Sequence, residues 1–216
     1  MRHVFITGGT GFIGRPLTEE LLNRGHRVTV LVRPGSESRL APGCDVVLGD
    51  ALEPSYASAV FGADTFIHLV GVTHHRWPWK TADFRDIDLA SVRAAVESAM
   101  LARISHFIYL SAVQPALALY SYAAVRRAGE DLIRSAGLNA TILRPWYVTG
   151  PGRRWPVLLN PLFVAGRTIP FARRAVRRRG LTTVNQVTLA LAQAVEHPSE
   201  GVCVLDVDSI RATARP

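Results

Sequence analysis

Lysine is nearly absent from this 216-residue sequence: Lys80 is the only one among 25 basic side chains, and all the others are arginine. An arginine where chemistry usually employs lysine therefore reflects composition as well as function. Cysteine is scarce too. Cys44 and Cys203 stand far apart, in no spacing that suits a metal or a redox pair, and are expected to be unpaired thiols of a reducing compartment. No apolar run reaches the roughly 18–20 residues needed to cross a bilayer. The first strand begins within two or three residues of Met1, which leaves no room for the regions of a signal peptide, so the expected location is the cytoplasm. Internal repeats and low-complexity tracts are also missing.

Acidic residues are missing from one long stretch, between Asp131 and Glu196. Residues 1–131 carry 13 basic and 13 acidic side chains, whereas residues 132–216 carry 12 arginines against four acids and hold the whole net charge of +8. Such a surface attracts anions: an anionic substrate, a membrane surface of acidic lipid, an acidic protein face or nucleic acid. The run Arg173-Arg174-Ala175-Val176-Arg177-Arg178-Arg179 lacks the interleaved aromatics or reading motif of a nucleic-acid binder, so nucleic acid is the least expected of these. A solvated arginine loop is the plainer reading. With 48% hydrophobic and 19% charged residues, the composition is that of a globular chain long enough for one well-cored domain.

What is present, at the very start, is Phe5-Ile6-Thr7-Gly8-Gly9-Thr10-Gly11-Phe12-Ile13-Gly14. Apolar residues run into Gly8, Gly11 and Gly14, spaced three apart, and an amphipathic segment with Leu17, Leu21 and Leu22 follows. The order is strand, tight turn, helix. One glycine permits unusual backbone angles, one lets the main chain approach a ligand, and one lets the helix pack closely on the strand. Free N–H groups at the helix N-terminus then favour a pyrophosphate, and a dinucleotide is the expected ligand.

Downstream, strands alternate with helices. Apolar runs predict strands over 27–32, 45–50, 64–70, 106–110 and 140–143, with a last short one over 202–207. Helices are expected from Gly14 to about Arg24, after Pro54, from Phe84 to about Arg103 with Asp83 as cap, around Tyr122 to Ile133, near Pro156 to Ala165, and after Thr182 or Thr183. The alternation implies an α/β fold, a doubly wound parallel sheet covered on both faces. Residues 1–152 are the expected nucleotide-binding domain, and residues 153–216 a small, basic C-terminal region completing the same fold. In the loop from Thr73 to Lys80, His74 and His75 lack acidic or thiol partners and make a poor metal site. Trp77, Trp79, Trp146 and Trp155 either wall a pocket or simply pack.

Ligands of an open parallel sheet lie outside the carboxyl ends of its strands. Arg33 follows the second strand, 19 residues beyond Gly14, where an acid would hold the ribose hydroxyls of NAD. An arginine there either pairs with a 2′-phosphate, which favours NADP over NAD, or is a surface arginine. Asp50 either accepts a bond from the adenine amino group or caps the turn before Pro54. Ser111 ends the fifth strand, and Tyr122 and Arg126 share one helix face. A phenol is a poor base at neutral pH until a neighbouring cation stabilises its anion, and Arg126 can supply that charge. By spacing alone, Tyr122 could equally just pack.

Together, the run Gly8-x-x-Gly11-x-x-Gly14, the Asp50 turn, Ser111, Tyr122-x-x-x-Arg126 with Glu130, and Leu143-Arg144-Pro145 through Gly150-Pro151-Gly152 resemble the extended and atypical short-chain dehydrogenases/reductases. The chain is most similar to their NAD(P)-dependent epimerase/dehydratase group and to relatives among complex I accessory subunits. The resemblance covers about residues 2–152 and implies a Rossmann-type sheet with a small C-terminal substrate lobe. It implies a nicotinamide dinucleotide as cofactor, NADP before NAD given Arg33, with Gly8, Thr10, Gly11, Phe12, Ile13, Gly14, Arg33, Asp50, Ala51, Val70, Gly71, Tyr122, Arg126, Pro145 and Val148 around it. It also implies Tyr122 as general acid/base, Arg126 as its electrostatic partner and Ser111 as the hydroxyl that anchors a substrate oxygen. Two features depart from the family: Arg126 replaces its lysine, and Ser111-Ala112 replaces a frequent serine pair. Two functions follow as expectations. One is an oxidoreductase or epimerase-like enzyme for a small carbonyl, hydroxyl or anionic substrate. The other is an NADP(H)-binding structural or sensor module that docks through the region Arg153 to Arg179 on an acidic protein or membrane.

Overall fold

The computed structural model describes residues 1–71, 84–112, 120–151 and 180–213. In chain order its strands are β1 (His3–Thr7), β2 (Arg27–Val32), β3 (Asp45–Leu48), β4 (Thr65–His68), β5 (His106–Leu110), β6 (Ala140–Leu143), β7 (Val148–Thr149), β8 (Thr182–Thr183) and β9 (Val202–Leu205). Seven of them form one parallel sheet in the order β3-β2-β1-β4-β5-β6-β9, and β7 and β8 pair separately. The helices are α1 (Gly14–Asn23), α2 (Ala57–Val60), α3 (Ala90–Leu101), α4 (Tyr120–Ser135), α5 (Val184–Glu196) and α6 (Val207–Thr213). A wider, π-wound segment, Phe84–Leu89, leads into α3.

Each central strand is apolar on both sides and divides its residues between two cores. Val4 and Ile6 of β1, Val28, Val30 and Val32 of β2, Ile67, Ile108 and Leu143 face Leu17 and Leu21 of α1 and Val187 and Leu191 of α5. Their neighbours Phe5, Leu31, Phe66, Phe107, Tyr109 and Ile142 face the other way, onto Val60, Val92, Val96 and Ile133 of α2, α3 and α4. This period of two, with helices on both faces, is the doubly wound α/β arrangement that the alternation predicts. Parallel register places Phe5 beside Phe66 and Phe66 beside Phe107, with ring centroids 5.3 and 5.2 Å apart. Such pairs contribute roughly 0.5–1.5 kcal/mol each beyond their burial.

The structure differs from the sequence reading at the margins. β3 lies at the sheet edge, which leaves Val46 and Leu48 largely exposed. The β7–β8 pair and α6 were not expected, because two-residue strands and a seven-residue helix carry no periodic signal of their own. α5 begins as expected: the Thr183 hydroxyl accepts from Gln186 N at 3.2 Å while the Gln186 side chain accepts from Thr183 N at 3.0 Å, a complete capping box. No helix among the described residues is long and apolar enough to cross a membrane. Asp83, His74, His75, Trp77, Trp79, Trp155, the expected helix near Pro156 and the arginines of 153–179 lie outside the described residues.

Candidate active site

The chain winds outward from β1 to β3 and then returns to β4 on the other side of β1, so the carboxyl ends of β1 and β4 flank the switch point of the sheet. The glycine loop leaves β1 there. Gly8 has φ +83°, and a Cβ on it would stand 2.9 Å from the Leu69 carbonyl carbon of the neighbouring strand end. Gly11 N donates to Gly8 O at 3.1 Å, which turns that carbonyl inward and closes the loop. A Cβ on Gly14 would overlap the same oxygen, so α1 can start against the loop only from a glycine. Gly11 is exposed, leaving its backbone open to a ligand. Gly9 was missed by the motif spacing: any side chain there would run into Val30 of β2.

The N-terminus of α1 fits an external anion. Ile13, its N-cap, makes no side-chain capping bond, and the first turn holds no acidic residue, in contrast with the capping box of α5. Thr10, Phe12 and Ile13 are half-buried around this end, and Ile13 and Val148 pack on the core beneath it. A Cβ on Gly150 would meet Phe12 at 2.9 Å and Val184 at 2.8 Å, so the segment after β7 closes tightly over the loop. Pro145 is buried, and Trp146 packs edge-on against Tyr147 with centroids 5.3 Å apart. Along the other side, Arg33 is exposed directly after β2, and beyond it Arg39 donates to Ser36 Oγ at 2.7 Å. Asp50 is exposed, and its Oδ1 accepts from Leu52 N at 3.0 Å, the turn-capping alternative; Ala51 packs on the core.

On α4, residues four apart line one stripe: Tyr122, Arg126, Glu130 and Arg134. Arg126 is buried. Its Nε donates to the Tyr122 hydroxyl at 3.1 Å, and its Nη1 lies 3.2 Å from Val70 O, 3.3 Å from the Tyr109 hydroxyl and 3.3 Å from Leu110 O. Nη2 stands 3.2 Å from Oδ2 of Asp88, a fully buried carboxylate on the π-wound segment. Burial works against the guanidinium charge, but Tyr122, Tyr109 and Asp88 outweigh it and hold the Arg126 pKa well above its ordinary value. For Tyr109, burial raises the phenol's pKa despite Arg126 beside it, so this ring stays protonated.

Ser111, expected as a substrate anchor, makes a bond within the protein. Two residues beyond Tyr109, it points to the same side of the sheet, toward α4, and its hydroxyl donates to Glu130 Oε1 at 2.6 Å. Glu130 is fully buried and also accepts from Arg144 Nε at 2.8 Å, from Arg144 Nη2, and from Arg134 Nη2 at 3.1 Å. Burial opposes its ionisation, yet the bonds from Arg144, Ser111 and Arg134 prevail and keep its carboxyl below the usual range. The Ser111 proton is thus directed into the protein, and its oxygen can meet a ligand only as an acceptor.

One buried group at the switch point escaped the sequence reading. His68 ends β4 beside Thr7, with Nδ1 2.8 Å from Thr7 Oγ1 and Nε2 3.3 Å from Ser91 Oγ. Ser91 donates its own proton to Asp88 O at 2.9 Å, so the hydrogen between Ser91 and His68 belongs to imidazole Nε2, and Nδ1 accepts from Thr7. Burial first, and then the Arg126 charge, pushes the His68 pKa down to about 3, and the ring is neutral. Only the alternation that turns His68 inward could have shown this from the sequence.

A family profile described as NAD(P)H-binding matches residues 8–172. The chain is 37% identical over 152 residues to ceramide reductase of Caulobacter vibrioides, covering 69% of this chain and 47% of that protein. It is 31% identical over 154 residues to the uncharacterized sugar epimerase YhfK of Bacillus subtilis, covering 66% of this chain and 70% of the other. The chain spans about half the length, or less, of most of the curated relatives it matches. Among solved structures, the Bordetella bronchiseptica enzyme WbmH in complex with NAD+ superposes with a TM-score of 0.71 at 21% identity, over 96% of this chain and 76% of that one. That last likeness concerns the fold.

Proposed function

We propose, on the premise that this chain belongs to the NAD(P)H-binding family within the extended short-chain dehydrogenase/reductase superfamily, that it is an NADP(H)-dependent oxidoreductase or epimerase-like enzyme for a small carbonyl or hydroxyl compound. The observation that carries this reading is the Arg126 Nε bond to the Tyr122 hydroxyl at 3.1 Å, made by a guanidinium whose charge is held, against the cost of burial, by Tyr122, Tyr109 and Asp88. A nicotinamide ring, when bound, supplies or takes a hydride at the substrate carbon. Tyr122 gives or takes the proton at the substrate oxygen, and Arg126 stabilises its anionic form. Ser111 contributes an acceptor oxygen held by Glu130.

The glycine loop and the uncapped start of α1 would seat the pyrophosphate through Gly8, Thr10, Gly11, Phe12, Ile13 and Gly14, with Val70, Gly71, Pro145 and Val148 toward the nicotinamide half and Asp50 and Ala51 toward the adenine. Arg33, exposed after β2, would meet a 2′-phosphate and select NADP. An anionic substrate would suit the arginines of 153–179, and the region 153–216 would serve as its lobe. Stopped-time absorbance assays of NADPH oxidation over a panel of carbonyl compounds and nucleotide sugars test the reaction. Tyr122→Phe is expected to lower kcat by about 10²–10⁴-fold, and full turnover in that variant would remove Tyr122 from the mechanism. Arg33→Ala is expected to weaken NADPH about tenfold or more while leaving NADH nearly unchanged.

A second reading has its own observation. Arg126 also bonds Val70 O, Leu110 O and Tyr109, and Ser111 bonds Glu130, so both polar groups have partners that would serve a purely structural purpose. The protein would then be an NADP(H)-binding structural or sensor module docking on an acidic partner or membrane. A rise in Tm with NADPH and no turnover on any compound of the panel favours this reading; steady turnover removes it.

A further inference from the structure

The partners of Arg126 come from four separate parts of the chain: the end of β4, the end of β5, the π-wound segment and α4. A lysine has one nitrogen and could not reach the Val70 and Leu110 carbonyls, Asp88 and Tyr122 at once. The surroundings are also shaped for the larger group. A Cβ built on Gly71 would overlap Arg126 Nη2, so any side chain there would push the guanidinium out of its present bonds. The Tyr109 and Tyr122 rings lie across the guanidinium, their centroids 5.7 and 5.1 Å from Cζ.

We propose that Gly71, Tyr109 and Asp88 form a seat specific for a guanidinium, and that Asp88 is a positioning residue which, through Arg126, fixes both the Tyr122 hydroxyl and the Val70–Gly71 backbone beside it. Arg126 is then a co-adapted replacement, with a glycine and a buried carboxylate arranged to receive it. The inference rests on the Tyr122–Arg126 pair of the proposed function, but its test reads the guanidinium and not turnover.

Four proteins decide the seat: the natural chain, Gly71→Ala, Arg126→Lys and the double variant. Their Tm values are compared with and without NADPH. Gly71→Ala is expected to lower Tm by several degrees in the natural chain and to have almost no effect in the Arg126→Lys background, where the overlapping nitrogen is gone. Arg126→Lys alone is expected to melt lower than the natural chain. An equal loss from Gly71→Ala in both backgrounds would overturn the seat.

For Asp88, hydrogen exchange of the Arg126 Nε–H is followed by NMR in Asp88→Ala and in the isosteric Asp88→Asn, which preserves the shape if the alanine variant does not fold. Exchange faster by about tenfold or more, in a variant whose far-ultraviolet circular dichroism matches the natural chain, supports the positioning role. Unchanged exchange overturns it. Full turnover by Tyr122→Phe would refute the catalytic reading and leave both of these measurements as they were.

Discussion

Glu130 offers the most demanding test of how the site is built. Glu130→Gln removes a carboxylate that joins Ser111, Arg144 and Arg134, while keeping its volume. Leaving a buried charge without its partner typically destabilises by about 3–5 kcal/mol. That figure is an upper bound here, because the side chains of Arg144 and Arg134 are 28% and 38% exposed and can turn to water. The glutamine oxygen also retains a share of the bonds. A loss of about 1.5–3 kcal/mol remains, equivalent to a fall in Tm of roughly 3–12 °C for a chain of this size. The pH dependence gives a second handle. The folded carboxyl ionises below its ordinary range, so its contribution is complete above the unfolded value of about 4.3 and is lost as pH falls through the lower folded value. Melting followed by circular dichroism from neutral pH down to about pH 3 should show the two proteins separated at neutral pH and converging in acid. Equal Tm values at neutral pH, or a gap that stays constant into acid, would refute the account of Glu130 as a charged tie between β5, β6 and α4.

Two other outcomes are expected. His68 has a folded pKa of about 3 against about 6.5 in an unfolded chain, so its contribution is complete above about pH 6.5 and declines as pH falls toward 3. His68→Gln should therefore flatten the decline of Tm that begins below about pH 6.5, a window above that of Glu130, and an unchanged slope would contradict the buried neutral ring. Arg103, just past α3, has φ +52° and its N–H bonds Met100 O at 3.1 Å; Arg103→Gly should stabilise the fold by about 0.5–1 kcal/mol, read as a higher Tm.

The sheet was legible in the residues because its central strands are buried on both faces. Such strands read as continuous apolar runs, and the limits of β2, β5 and β6 agree with those runs to the residue. The glycine loop was legible because a positive φ and a backbone contact closed to any side chain leave glycine no substitute, as Gly8 and Gly14 show. Tyr122 and Arg126 were legible as a pair because four residues along a helix bring two side chains to one face. Gly9 escaped because its requirement comes from Val30, on a strand 21 positions away in the sequence.

What was readable from the sequence alone was local: the order of the seven strands of the main sheet and of the longer described helices, the dinucleotide loop, and the excess of positive charge beyond Asp131. The tertiary structure alone decided what each polar side chain meets, since those partners are brought together by sheet order and register. Ser111 looks like a free hydroxyl at a strand end until the alternation of β5 turns it onto Glu130, and that glutamate onto Arg144 from β6. Arg126 looks like a composition-driven exchange for lysine until the ends of β4 and β5 and the π-wound segment close around it. A guanidinium buried with a carboxylate, two carbonyls and two phenols is set by packing at long sequence separation, and no spacing rule along the chain encodes that.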